Sequence, residues 1–323
     1  MRSVKQNLFL LPILIAGFGL IPAVPAQAQF TFGPQVQSTN TASITHNSGT
    51  GTFQYTDSNN LSTDSAGLPL AGNAATFITT LNGWTASLTV NLSARSMPGN
   101  GPYAAMGLYI IINSNYKNTV EISLSQENYT GTGGGNFYGT EVFFEALTNG
   151  QNLPTTPLGN SSNSGGTSYQ LLSGGTSSSP ITESINAASG VLVLTNNAST
   201  DTLSGYYNGA PVGSISLTRW GPNPSLTLAV VGFSGYGINV PAGTDTASHF
   251  FAGVSAPQLT LMRSGANVIL SWPTNATGFT LQSTTNLASP TGWTTVSPAP
   301  VIVSTNNVVT NSITGAQQFF RLQ

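Results

Sequence analysis

The sequence predicts an all-β fold built from antiparallel sheets, and three observations carry that reading. Residues 84–92 alternate without a break, with Trp84, Ala86, Leu88, Val90 and Leu92 on one face. Thirty-six glycines and nineteen prolines punctuate runs of modest length, as sandwiches and jelly rolls require. No stretch shows a convincing 3.6-residue period.

The chain opens with Arg2 and Lys5, then an apolar run from Leu8 to Leu20 broken by Pro12, Gly17 and Gly19. Ala26-Gln27-Ala28 follows, the small-x-small pattern of a signal peptidase site. This predicts a signal peptide over 1–28 and an exported protein. The apolar run is short for a bilayer span of about 20 residues, and no later segment approaches one.

After the leader the strands come in order. Met106 to Ile112 is nearly continuous in apolar residues and predicts a strand buried on both faces. Over Thr119 to Ser125, Val120, Ile122 and Leu124 point one way and Glu121 and Ser123 the other. Thr140 to Ala146 is another strand. Ser189 to Thr195, Thr202 to Tyr207 and Pro211 to Leu217 form a meander. Asn208-Gly209 is its hairpin turn, because both residues tolerate positive φ. Ser225 to Phe233 and His249 to Val254 close the region.

Residues 149–180 differ. Pro154, Pro157, Gly159 and the run Asn160-Ser161-Ser162-Asn163-Ser164-Gly165-Gly166 are too polar to bury a core, so the segment is expected to be a long polar loop. A second composition break falls at Ser255-Ala256-Pro257. Beyond it, short apolar runs with frequent turns predict a small β-sandwich module over 257–323. The main domain is expected over 29–255.

Charge removes many function classes. Charged residues are 5% of the chain, against about 25% in an ordinary globular protein. Without the leader, five basic residues face nine acidic ones, a net charge near −4. Phosphate-backbone binding has no electrostatic source, so no nucleic-acid partner is expected. There is no cysteine, which excludes a lipoprotein anchor, disulfides, thiol catalysis and cysteine-type zinc sites. His46 and His249 are the two histidines. No Gly-x-Ser-x-Gly accompanies them, so a serine triad is not expected.

Several segments resemble a known family. Ser189 to Thr195, Asp201 to Gly209, Val212-Gly213-Ser214 and then Trp220 are similar to a hairpin of concanavalin A-like domains, the laminin G-like and lectin/glucanase jelly rolls. Ala247 to Val254 resembles the closing strand of that family. The likeness covers about residues 30–255, outside the middle loop. The tail, with Val268 to Pro273, Phe279 to Thr284, Trp293 to Val296 and Gln318 to Leu322, resembles a fibronectin type III-like C-terminal module of secreted bacterial proteins. The resemblance implies a jelly-roll sandwich followed by an accessory module.

It also raises glycoside hydrolysis. Retaining enzymes of the jelly-roll type carry Glu-x-Asp-x-x-Glu or Glu-x-Asp-x-Glu. Here the candidates are Glu121 to Glu127 and Glu141 to Glu145, and neither contains the aspartate. Along one strand, Glu141 and Glu145 lie about 13 Å apart and Glu121 and Glu127 about 20 Å apart. A retaining pair needs about 5–5.5 Å. A hydrolase would therefore require carboxylates converging from different strands.

No cofactor is expected apart from calcium, which laminin G-like domains often bind through oxygen ligands. The candidates are Asp57, Asn59 and Asp64, in a run that is also common turn chemistry. Carbohydrate binding needs aromatic platforms and neutral polar groups. Trp84 and Trp220 lie in apolar contexts and are expected in the core. Tyr129, Phe137, Tyr138 and Tyr236 sit near glycine-rich turns and are the candidate ligand platforms. Residues 29–323 are therefore expected to form an exported, non-catalytic binding protein recognising a glycan or an extracellular matrix polymer. The alternatives are a self-associating structural or adhesive surface protein, whose low-charge strands suit edge-to-edge pairing, and a polysaccharide hydrolase.

Overall fold

The computed structural model describes residues 30–37, 41–58, 63–97, 101–130, 136–177, 184–235, 237–254, 259–274, 279–287, 292–304, 306–314 and 317–323. The expected signal peptide lies outside these residues.

Thirteen main strands build the body in chain order. They are β1 (Ala42–Asn47), β2 (Thr52–Asp57), β3 (Asp64–Ala71), β4 (Trp84–Leu92), β5 (Tyr103–Ile112), β6 (Asn115–Thr130) and β7 (Asn136–Thr148). Then come β8 (Thr167–Ser177), β9 (Ala188–Asn197), β10 (Thr202–Tyr207), β11 (Ala210–Ser216), β12 (Leu226–Gly235) and β13 (Val240–Val254). One ten-stranded sheet runs β3-β12-β5-β6-β7-β8, extended at its margins by two- and three-residue strands. One eight-stranded sheet runs β11-β10-β9-β4-β13-β2-β1, with Thr156–Pro157 on its edge. All the ladders are antiparallel. The architecture is a jelly-roll β-sandwich.

The core lies between the sheets and follows from the alternation. β4 presents Trp84, Ala86, Leu88, Val90 and Leu92 inward, all buried. Facing it are Met106, Leu108, Ile110 and Ile112 of β5, Val120, Ile122 and Leu124 of β6, and Val142, Phe144 and Ala146 of β7. Trp84 donates from its indole nitrogen to the Thr79 carbonyl, 3.0 Å away. Trp220 is half-buried against the same core and donates to the Leu147 carbonyl at 3.2 Å. Both tryptophans are structural, as expected.

Buried polar groups tie the layers together. Ser234 on β12 donates to Asp57 on β2, and Tyr55 of β2 donates to the Asp64 carbonyl on β3 at 3.2 Å. Arg95 pairs with Asp245, which also accepts from the Ser93 amide at 3.0 Å. Gln126 of β6 donates to the Ser93 and Asn186 carbonyls, at 3.0 and 2.8 Å.

Most predicted elements are found. β4 spans Trp84–Leu92, and Asn208-Gly209 turns β10 into β11 with φ of 47° and 82°. Residues 149–180 depart from expectation. They contain β8, an eleven-residue strand that pairs along β7 and covers its edge. Its inward Ser168 and outward Tyr169 alternate like any strand, but serine, glutamine and glycine hide that period. Met106 to Ile112 is buried on both faces, as the continuous run requires.

Residues 259–323 form their own small sheets. Thr260–Ser264, Asn267–Pro273, Asn306–Ser312 and Val301–Val303 make one, and Thr294–Thr295, Leu281–Thr284 and Phe319–Leu322 the other. Val268, Leu270, Trp272, Leu281 and Val309 form a buried cluster separate from the main core.

Candidate functional site

The outer face of the ten-stranded sheet, turned away from the core, gathers four of the nine acidic residues of the chain. Four of the five glutamates lie there. The cause is the β6/β7 register. Glu121 stands directly opposite Glu145, Ser123 opposite Phe143, Ser125 opposite Glu141, and Glu127 opposite Gly139. Val120, Ile122 and Leu124 point into the core, so the alternate residues must point out. Directly opposed residues have Cβ atoms about 4.5–5.5 Å apart, and diagonal ones about 7–8 Å. Glu127 and Glu141 are diagonal neighbours of this kind.

Aromatic rings frame the carboxyl groups. Tyr103 is opposite Glu127 and Tyr109 opposite Glu121 on β5, and Tyr169 of β8 is opposite Phe143. Phe233 of β12 approaches Tyr103, Tyr109 and Phe143 with ring centroids 5.8, 6.2 and 6.2 Å apart. Phe233 and Phe143 are three strand steps apart, about 14 Å in a flat sheet. Their rings therefore lean toward each other over the small residues Ala105, Gly107, Ser123 and Ser125. A Cβ on Gly107 would lie 2.2 Å from both the Ile122 carbonyl oxygen and the Ser123 hydroxyl. Beside this cluster a cleft of about 390 Å³ is lined by Val36, Tyr109, Ile111, Tyr116, Thr119 and Val231, among others. That lies in the size range of small-ligand pockets, about 300–1,000 Å³.

The carboxyl groups are held toward their neutral forms. Burial, and then the charges of Glu145 and Glu127, push Glu121 well above the usual carboxylate range. Burial, and then Glu127, raise Glu141 to about 9. Burial raises Glu127 against a 2.7 Å hydrogen bond from Ser125. It also raises Glu145, against hydrogen bonds from Thr167 and Asn152, both 3.0 Å. No basic group contributes to any of these shifts. Carboxylic acids kept protonated at neutral pH can donate hydrogen bonds or act as general acids.

The sequence-predicted platforms fare unequally. Positions 129 and 137 are partners in register, in line with Glu127 at the end of the β6/β7 ladder. Tyr138 is half-buried and opposite Asn128, on the side of the ladder turned away from the glutamates. Tyr236 lies outside the described residues. Of the expected metal ligands, Asp57 and Asp64 are buried and accept hydrogen bonds from Ser234 and Thr41. Asn59 lies outside the described residues. Among the described residues no group of three or more histidines, aspartates or glutamates could hold a metal ion. The two aspartates act as acceptors for these hydroxyls. His46 stacks on Phe53 at 4.6 Å, and the exposed His249 meets Ser248, so the two histidines serve separate local contacts.

The glutamate face is not visible along any single strand, because its members become neighbours only when β6 pairs with β7. The signal was present. The alternating runs 119–125 and 140–146 follow each other in the sequence, and pairing them antiparallel with Val120 opposite Ala146 puts Glu121 opposite Glu145.

Fold and face together define a jelly-roll sandwich with a carboxylate-lined outer sheet. No family model matches the chain, and no curated protein matches it. Among solved structures it is similar to the carbohydrate recognition domain of Emp47p, with 12% identity over 70% of this chain and 90% of that one, at a TM-score of 0.38. The potassium-bound Emp46p domain matches with 10% identity over 68% and 84%, at 0.32. The kappa-carrageenase of Pseudoalteromonas carrageenovora, in complex with an oligotetrasaccharide of kappa-carrageenan, matches with 9% identity over 69% and 89%, at 0.28. The sandwich itself rests on the sheets and core described above.

Proposed function

We propose that the protein is an exported, two-domain glycan-binding protein, and that its ligand lies on the outer face of the ten-stranded sheet. One observation carries the reading. In a chain almost without charge, four glutamates are gathered on one face among aromatic rings and beside a cleft. Desolvating carboxyl groups is costly and adds nothing to the fold, so their position there is better explained by a ligand. Neutral acids, hydroxyls and aromatic rings match the hydroxyls and apolar faces of sugars. Residues 257–323 would be an accessory module.

The opposition of Glu121 and Glu145 favours a second reading, glycoside cleavage. Their Cβ spacing of about 4.5–5.5 Å suits a retaining pair, whose carboxyl groups lie about 5–5.5 Å apart. One would act as general acid and the other as nucleophile.

The test is binding of residues 29–323 to a polysaccharide panel, with and without calcium, while reducing ends are measured. Binding without new reducing ends supports the binding reading. New reducing ends, lost in Glu121→Gln and Glu145→Gln, support cleavage. No binding to any glycan, with no product, would sink both and favour an adhesive, self-associating protein.

A further inference from the structure

Resting on that glycan reading, we infer that the ligand is a polymer of amino sugars with free amines, whose ammonium groups supply the cation that this face lacks. Glu121 and Glu127 on β6 and Glu141 and Glu145 on β7 share the face. The other titratable groups facing them are Tyr103 and Tyr109 from β5 and Tyr169 from β8. β12 contributes Phe233 and Val231, which do not titrate. The one ion pair among the described residues, Arg95 with Asp245, lies elsewhere. Lys117, at the far end of β6, is exposed and does not act on the four carboxyl groups.

A second observation points to a ligand independently of the acids. Ser123, on the outer face between Glu121 and Ser125, is fully buried, and its hydroxyl has no hydrogen-bond partner. A buried hydroxyl without a partner is a cost the fold does not recover, and this one sits in the middle of the carboxyl cluster.

The sign of charge then selects the glycan. Uronate or sulfate groups would find no counter-charge among these acids and would be repelled by any of them that ionises. A neutral sugar would leave the carboxyl groups as they are. An ammonium group gives a charge-assisted hydrogen bond to a carboxylate, roughly twice as strong as a neutral one. Its arrival favours ionisation of the carboxyl groups, so binding releases protons. The rings of Tyr103, Tyr109, Phe143 and Phe233 give sugar rings an apolar surface that a small polyamine would not use.

The experiment is calorimetric titration at pH 7, in two buffers of different ionisation enthalpy. The ligands are a glucosamine oligomer, its fully N-acetylated counterpart, an oligouronate and spermine. The glucosamine oligomer is expected to bind at least about tenfold more tightly than the acetylated one, with net proton release and no uronate binding. In Glu141→Gln and Glu145→Gln the preference should shrink and the proton release fall. Glutamine preserves shape and removes repulsion, so both variants are expected to fold. Equal binding of the acetylated oligomer would overturn the inference and leave the glycan reading intact. Spermine binding as tightly as the glucosamine oligomer would also overturn it, because the face would then take any polycation. If none of these sugars bound, the inference would fall, and the glycan reading would fall with it only if the polysaccharide panel also gave no binding.

Discussion

Glu121 and Glu145 face each other directly across two antiparallel strands, both largely buried, with no cation between them among the described residues. Like charges in opposed sheet positions destabilise by about 0.2–1 kcal/mol. Their ionisation is therefore suppressed, and removing one should relieve the strain. Glu145→Gln should raise the melting temperature by about 1–4 °C at pH 8 and change it little at pH 5. Equal shifts at both values would show that the effect is not electrostatic.

The same cluster sets the pH response of the fold. Glu141 is raised to about 9 from an ordinary 4.5. Below about 4.5, folded and unfolded chains both carry this proton and its contribution to stability is fully present. As pH rises toward 9 the unfolded chain ionises first, so the folded state binds more protons and stability falls. His46 is lowered by burial from 6.5, so above pH 7 it is neutral in both states and drops out. Melting temperatures measured from pH 7 to 9 should decline, and Glu141→Gln should flatten the decline. A flat or rising wild-type profile would contradict the assignment.

Sheet membership was legible where alternation is clean. β4 and the Asn208-Gly209 hairpin could be read directly, because apolar period and turn chemistry agree there. β8 was hidden because its period is written in serine, tyrosine and glutamine, which carry little hydropathy contrast. The glutamate face was hidden for a different reason. Its members are 24 residues apart at the extreme, Glu121 to Glu145, and only strand pairing makes them neighbours. Aromatic residues posed the same difficulty: Tyr138 stands close to the glutamates in the sequence, yet it pairs with Asn128, on the side of the sheet turned away from them.

Arg95 is the one cation tied into the interior of the sandwich among the described residues. It pairs with the fully buried Asp245 and also donates to the Ser93 hydroxyl at 3.1 Å. Arg95→Ala would leave a buried carboxylate with hydrogen bonds from Ser93 but no counter-charge. Such losses cost about 3–5 kcal/mol. Urea unfolding should show that loss, and the double change Arg95→Met with Asp245→Leu should recover most of it. A single variant within about 1 kcal/mol of wild type would mean that the pair contributes little to the fold.

Gly107 links the fold to the face. It lies on the outer side of β5, where a Cβ would come within 2.2 Å of the Ile122 carbonyl oxygen and 2.8 Å of the Ser123 Cα. Backbone atoms cannot swing aside as a side-chain tip can, so β5 and β6 would have to separate. Overpacking of this kind costs about 1–3 kcal/mol. Gly107→Ala should therefore lower stability by that amount while shifting Ser123 and the rings of Phe143 and Phe233. Gly205→Ala is the control, since its Cβ would press on the Phe144 ring from the core side. If the outer face is the binding site, glycan affinity should fall in Gly107→Ala and hold in Gly205→Ala at matched loss of stability. Equal loss of affinity in the two variants would place the ligand somewhere other than this face.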